Sequence, residues 1–156
     1  MKLLISEILQ KAHNAKTKAE KIQILQQNNS AALRMILIIN YDESIVSLIP
    51  EGAPPFNKNE APAGTEHTNL IHEARILHHF FKGGSSVKSI KREQMFIQLL
   101  EGLHPDEADV LIKAKDKVLG KRYKVTKSCV QEAFPEIVWG NRSWRLYMKI
   151  AILRCR

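Results

Sequence analysis

The sequence has little of what staples a small secreted domain or anchors a chain in a bilayer. Its only cysteines, Cys129 and Cys155, are too few for a disulfide framework and suit a reducing compartment. The longest unbroken apolar run, residues 35–39, falls far short of the roughly 20 residues that a spanning helix needs, so no transmembrane helix is expected. Residues 1–7 reach Glu7 with no small-residue cleavage site, which argues against a secretory leader. Glycine is scarce, and Gly83-Gly84 lacks the Lys-Ser/Thr that completes a phosphate-binding loop. There is no Gly-x-Ser-x-Gly elbow. No segment alternates convincingly as a strand, and no internal repeat is found.

What is present is charge, unevenly placed. The chain carries a net +8 at neutral pH. Residues 42–66 hold Asp42, Glu43, Glu51, Glu60 and Glu66 against Lys58 alone. Residues 113–127 hold Lys113, Lys115, Lys117, Lys121, Arg122, Lys124 and Lys127 against Asp116. Residues 140–156 add Arg142, Arg145, Lys149, Arg154 and Arg156 with no acid. Clustering of this kind is the electrostatic footprint of a nucleic-acid binder. The plainer alternative is a solvated lysine-rich helix end followed by a basic tail.

The periodicity predicts an all-α fold. Leu3, Leu4, Ile8, Leu9 and Ala12 form a helical stripe, and Thr17-Lys18-Ala19-Glu20 reads as a capping box opening a second helix. Asn28-Asn29-Ser30 breaks that helix and caps a third over 31–39, apolar all round except at Arg34 and so expected at the centre of the core. A short helical turn is expected over 44–49. Residues 50–65 hold four prolines and two glycines, which exclude helix and central strand and predict a long, acidic, exposed loop.

Helical pattern resumes near Thr68 and stops at Lys82-Gly83-Gly84. Ser85-Ser86 is expected to cap a helix running to Gly102 with Ile90, Met95, Phe96, Leu99 and Leu100 inside. His104-Pro105-Asp106-Glu107 opens another, whose terminal Lys113, Lys115 and Lys117 suit its C-terminal dipole. A basic connector, 121–125, leads to a short helix over 127–133, capped by Thr126 and ended by Pro135. A last helix is expected over 143–153. The predicted core is Leu25, Leu33, Ile36, Leu37, Leu77, Phe80, Phe96, Leu99, Leu100, Leu111 and Phe134. The expected organisation is one compact helical domain over 1–140 and a basic tail or helix over 141–156.

No catalytic constellation emerges. His72 and His79 lie seven residues apart, too far for a one-turn chelating pair, and Ile76 interrupts any His-Glu-x-x-His; His67 and His78 read as surface or half-buried side chains. Cys129, among apolar neighbours, reads as a small core residue rather than a nucleophile. No metal, cofactor or small-molecule substrate is expected, nor an enzyme.

Several stretches resemble a small family encoded by myoviruses of marine cyanobacteria. They are the opening Met1-Lys2-Leu3-Leu4-Ile5-Ser6-Glu7, the segment Ile24-Leu25-Gln26-Gln27-Asn28-Asn29-Ser30 and Met95-Phe96-Ile97-Gln98-Leu99-Leu100-Glu101-Gly102-Leu103-His104-Pro105. Tyr123-Lys124-Val125-Thr126-Lys127 and Glu132-Ala133-Phe134-Pro135-Glu136-Ile137-Val138-Trp139-Gly140 belong to the same pattern, which covers roughly residues 1–143. The resemblance implies a phage protein acting in the host cytoplasm during infection.

The order of segments is also similar to the N-terminal helical DNA-binding domain of phage ATP-dependent DNA ligases. The matching features are the Thr17-capped helix, Ile24-Leu25 followed by Asn28, the apolar helix ending near Tyr41-Asp42, and the Lys82-Gly83-Gly84 break. The helix at 106–116 and the connector, short helix and proline over 119–135 complete it. In those ligases this domain grips the duplex through its backbone and minor groove while other domains catalyse. The Lys-x-Asp-Gly nucleotidyl-transfer motif is missing here, so the resemblance implies DNA binding alone. The loop at 50–65 has no counterpart in it.

Two functions follow as expectations. The first is an accessory protein that binds duplex DNA without sequence preference through Lys113, Lys117, Lys121, Arg122, Lys124, Thr126 and Lys127, with Lys16 and Lys18 outside the site. The second is an interaction module for a phage or host protein, using the 50–65 loop and the tail residues Trp144, Arg145 and Tyr147.

Overall fold

The computed structural model describes residues 3–62, 68–137 and 139–140. Glu66, His67, Cys155, the expected helix over 143–153 and the rest of the basic tail lie outside the described residues. Among the described residues every regular element is helical. The order is α1 (Ile5–Asn14), α2 (Lys18–Gln27), α3 (Ala31–Tyr41), α4 (Leu70–Glu73), a 3-10 helix (Ala74–Phe80), α5 (Ser89–Gly102), α6 (Pro105–Lys115), α7 (Leu119–Arg122) and α8 (Lys127–Ala133). The fold is all-α, as the periodicity predicts.

Local signals set most helix starts. The Thr17 hydroxyl accepts from the Glu20 N–H at 3.2 Å, Ser30 from Leu33 at 3.1 Å, and Thr126 from Cys129 at 3.2 Å. His104 opens α6 by accepting from the Asp106 N–H through Nδ1, with Pro105 at the first helical position. Each cap satisfies a donor that the first helical turn leaves without a partner.

α3 runs through the centre, buried from Ala32 to Asn40, and packs on α6, α4 and the 3-10 helix. Its Leu33, Ile36, Leu37, Ile38 and Ile39 are fully buried, each worth about 1.5–3 kcal/mol of removed apolar surface. One continuous core joins it to α1, α5, α6 and α8 and contains every residue of the predicted core. Arg34, the one charge in that helix, is buried too. Its guanidinium bonds Asn29 Oδ1 and the Glu136 carboxylate and lies 4.7 Å from the Phe134 ring centroid.

Four local expectations are corrected. No helix forms over 44–49: the Asp42 carboxylate accepts from the Ser44 N–H and hydroxyl, and Ser47 then pairs antiparallel with Phe81. The helix expected from Thr68 is a single α turn continued by a 3-10 helix, which ends at Phe80 as Phe81 turns extended to pair with Ser47, before Gly83 takes φ +85°. α5 starts at Ser89, not beside Ser85-Ser86, because the buried Arg92 holds the preceding turn through the carbonyls of His79 (2.8 Å) and Val87 (2.7 Å). Its buried stripe is Arg92, Phe96, Leu99 and Leu100, so Ile90, two residues or about 200° from Arg92, faces solvent at 73% exposure. Finally, the connector 121–125 begins inside a helical turn, α7.

The described part of the proline-rich loop is moored along its length. The buried Lys115 ammonium bonds the carbonyls of Pro50 (3.0 Å) and Gly52 (2.9 Å) and the Asp116 carboxylate. Asp116 also accepts from the Gly52 N–H, Glu101 accepts from Asn57, and the Asn59 side chain reaches the Gly102 carbonyl. Lys115 therefore serves the loop rather than the end of α6.

Candidate nucleic-acid interface

The segment between α6 and α8 is fastened to the C-terminal end of α3 by three consecutive residues of that helix. Lys117 sends its ammonium to the carbonyls of Ile39 (2.6 Å) and Asp42 (2.7 Å). Asn40 accepts from the Leu119 N–H at 3.0 Å and so caps α7. The Tyr41 hydroxyl donates to the Val125 carbonyl. Burial raises the Tyr41 phenol to about 12, while desolvation lowers the Lys117 ammonium against the opposing pull of Asp42 and Glu43.

Lys117 also occupies an unusual backbone state. Its φ is +59°, and Val118 and Lys117 donate to the carbonyls of Lys113 and Ala114, the double bond of a Schellman turn usually built on glycine. The left-handed conformation costs a β-carbon-bearing residue about 1 kcal/mol or more, offset here by the ammonium's reach back to α3.

The same segment is fastened on its other side to α1 and α2. His13 Nδ1 accepts from the Lys124 N–H at 3.0 Å, and the Lys21 ammonium donates to the Lys124 carbonyl at 2.6 Å. Lys18 bonds the Ser128 hydroxyl at 2.7 Å and pairs with Glu132 at 3.3 Å, and Arg122 reaches Gln10 at 3.3 Å. With both main-chain groups of Lys124 held by side chains, its ammonium is left on the surface.

The seven sequence-predicted site residues therefore divide. Lys121, Arg122, Lys124, Thr126 and Lys127 are exposed on one strip. The Arg122 guanidinium lies 4.5 Å from the Tyr123 ring centroid, and Lys127 lies 5.2 Å from that of Trp139, so aromatic faces brace both cations. Lys113 instead pairs with Asp109 one turn back on α6, and Lys117 is committed to α3. The Thr126 oxygen serves as the cap of α8, a helix of seven residues. Burial raises the thiol of Cys129, which packs inside that helix as a small core residue. His72 is exposed, and His79 bonds Ser85; among the described residues no three His, Cys, Asp or Glu side chains gather as a metal site.

Sequence reading missed Lys18 and Lys21. It placed Lys18 outside the site, whereas the packing of α2 on α8 sets both lysines beside the basic strip. Nothing local signals this, because the contact spans about two-thirds of the chain. Lys11 and Lys16 are exposed on and after α1; Glu20 and Glu132 interrupt the face on the α2–α8 side, and Glu7 and Asp106 line a pocket with Arg122 and Lys11.

Fold and site together define a helical protein with basic side chains clustered over residues 121–127. The chain belongs to DUF6433, a family of unknown function, which matches residues 8–121. No curated protein and no solved structure matches it.

Proposed function

We propose that this protein is a non-catalytic accessory factor that binds duplex DNA through phosphate contacts without reading sequence. The observation that carries the proposal is the strip Lys121, Arg122, Lys124 and Lys127, exposed together and flanked by Lys18 and Lys21. Cations arrayed along α7, the connection after it and the start of α8 neutralise neighbouring phosphates and release counterions, which gives affinity with little specificity. The Thr126 hydroxyl, which keeps its proton while accepting from Cys129, adds a neutral donor in the middle of the strip. The ligase-like order of segments and the cyanophage-like stretches fit such a factor acting in an infected host cell.

The test is duplex binding followed across a salt titration. Four phosphate contacts give a slope of log affinity against log salt near −3.6, about 0.9 per contact. Folded protein that fails to bind duplex at low salt refutes the proposal.

A second reading, a module that docks a phage or host protein, is favoured by a cleft of about 360 Å³ between the proline-rich loop and α5. Pro50, Pro54, Pro55, Phe96 and Ile97 line it with a mostly apolar surface.

A further inference from the structure

A second basic surface is carried by the 3-10 helix, the turn after it and the start of α5. Residues 74–92 contain Arg75, Lys82, Lys88, Lys91 and Arg92 and no acid. The acids that bound this run point elsewhere: Glu73 accepts from the Thr68 hydroxyl and pairs with His72, and Glu93 lines the cleft beside the proline-rich loop. The 3-10 helix and α5 pack on each other and on the α3–α6 centre, whereas α2 packs on α1 and α8. The two basic surfaces are therefore carried by different helices, this one by the 3-10 helix and α5 and the strip at 121–127 by α7 and α8.

The surface is built on a pinned turn. Arg92, 9% exposed, clamps the carbonyls of His79 and Val87, and among the described residues no carboxylate lies within ion-pair distance of it. A buried guanidinium held by neutral carbonyls keeps its net positive charge, and such a charge favours an anion at the adjacent surface. Lys82, Lys88 and Lys91 stand exposed around that turn. α5 opens there without a side-chain cap, unlike α2, α3 and α6, so its positive dipole end adds to the field. His79 reports the same field: desolvation, then His78, Arg92 and Lys91, hold its pKa below the ordinary histidine value.

We infer that Lys82, Lys88 and Lys91, around the turn held by Arg92, form a second phosphate-binding surface whose partner is another DNA duplex, so that one monomer bridges two duplexes. This inference rests on the DNA-binding reading above. Exposed cations spread over an acid-free run, from Arg75 to Lys91, fit the repeating phosphates of a polymer better than a single small anion.

The experiment uses the full chain with short duplexes, measuring stoichiometry by sedimentation and bridging by capture of a fluorescent duplex on a bead-bound one. Two duplexes per monomer are expected for the wild type. A variant with Lys82→Ala, Lys88→Ala and Lys91→Ala should bind one duplex and lose bridging at least tenfold, while the matching Lys→Arg variant keeps it. All three side chains are exposed, so folding, checked by circular dichroism, should be unaffected. Wild type that saturates at one duplex, or a triple variant that still bridges, overturns the inference. So does bridging found only in a protein dimer, or a second surface that takes polyglutamate and no duplex. One duplex per monomer, lost on replacing Arg122 and Lys124, would retain the proposed function and remove only this extension. No duplex binding at all would remove both.

Discussion

The Lys21 ammonium donates to the main-chain carbonyl of Lys124 at 2.6 Å across 103 residues of sequence. That bond, with the His13–Lys124 bond beside it, makes the basic strip a joint product of α1, α2 and the α7–α8 connection. A strip held from both sides keeps its cations at fixed spacing, which lowers the ordering cost of meeting a phosphate array.

Replacing Arg122 and Lys124 together with alanine should flatten the salt slope of duplex binding by about two, one unit per lost phosphate contact. Lys58→Ala, on the exposed proline-rich loop, should leave the slope unchanged. Lys18→Ala should weaken binding, since Lys18 touches Ser128 on α8. Fluorescence anisotropy at four or five salt concentrations reads all three. An unchanged slope in the double variant would move the site off this strip.

Glu107 is fully buried and caps two helices at once, accepting from the Ile5 N–H of α1 at 2.9 Å and the Leu70 N–H of α4 at 3.1 Å. Glu107→Ala should cost about 3 kcal/mol or more in urea denaturation, because it strands two buried donors at about 1–3 kcal/mol each. Glu107→Gln, with one carbonyl oxygen left to accept, should fall between it and the wild type.

At Lys117 two effects oppose each other. Lys117→Gly relieves the left-handed backbone but loses the ammonium's bonds to Ile39 and Asp42, and it should be destabilised by about 1 kcal/mol. Lys117→Ala keeps the strained φ and loses the same bonds, so it should be less stable than the glycine variant by about 1 kcal/mol. The order of the two midpoints in a denaturant titration decides it. An alanine variant as stable as the glycine variant would contradict the strain.

Alkaline stability should fall between about pH 10 and about pH 12. Tyr41 titrates near 12 in the fold against 10.0 in an unperturbed tyrosine, so in that window the native chain holds a proton that the unfolded chain has lost. Its contribution is fully present below pH 10 and is lost as pH rises through the folded value. Tyr123 and Cys129, both raised chiefly by burial, act in the same direction; Lys117, lowered by burial, gains stability as pH approaches 10.5. Tyr41→Phe should lower stability at neutral pH by losing the Val125 bond and make the alkaline decline shallower. A decline as steep in the phenylalanine variant would assign it to other groups.

The helical class, the central place of α3, the predicted core, the caps at Thr17, Ser30 and Thr126 and the start at Pro105 are all written in the local sequence. These are short-range properties: a cap needs a hydroxyl or ring nitrogen two or three residues from its donor, and a buried stripe needs only the 3.6-residue period. The acid-free run 74–92 is equally local in the sequence, though sparser in charge than the cluster at 113–127. Tertiary structure alone decided which of those lysines face outward. Lys113, Lys115 and Lys117 are drawn to Asp109, the Pro50 and Gly52 carbonyls and the end of α3, while Lys121, Arg122, Lys124 and Lys127 remain exposed on the surface. An ammonium goes to whichever oxygen the packing brings within reach, and that is fixed by which helices meet.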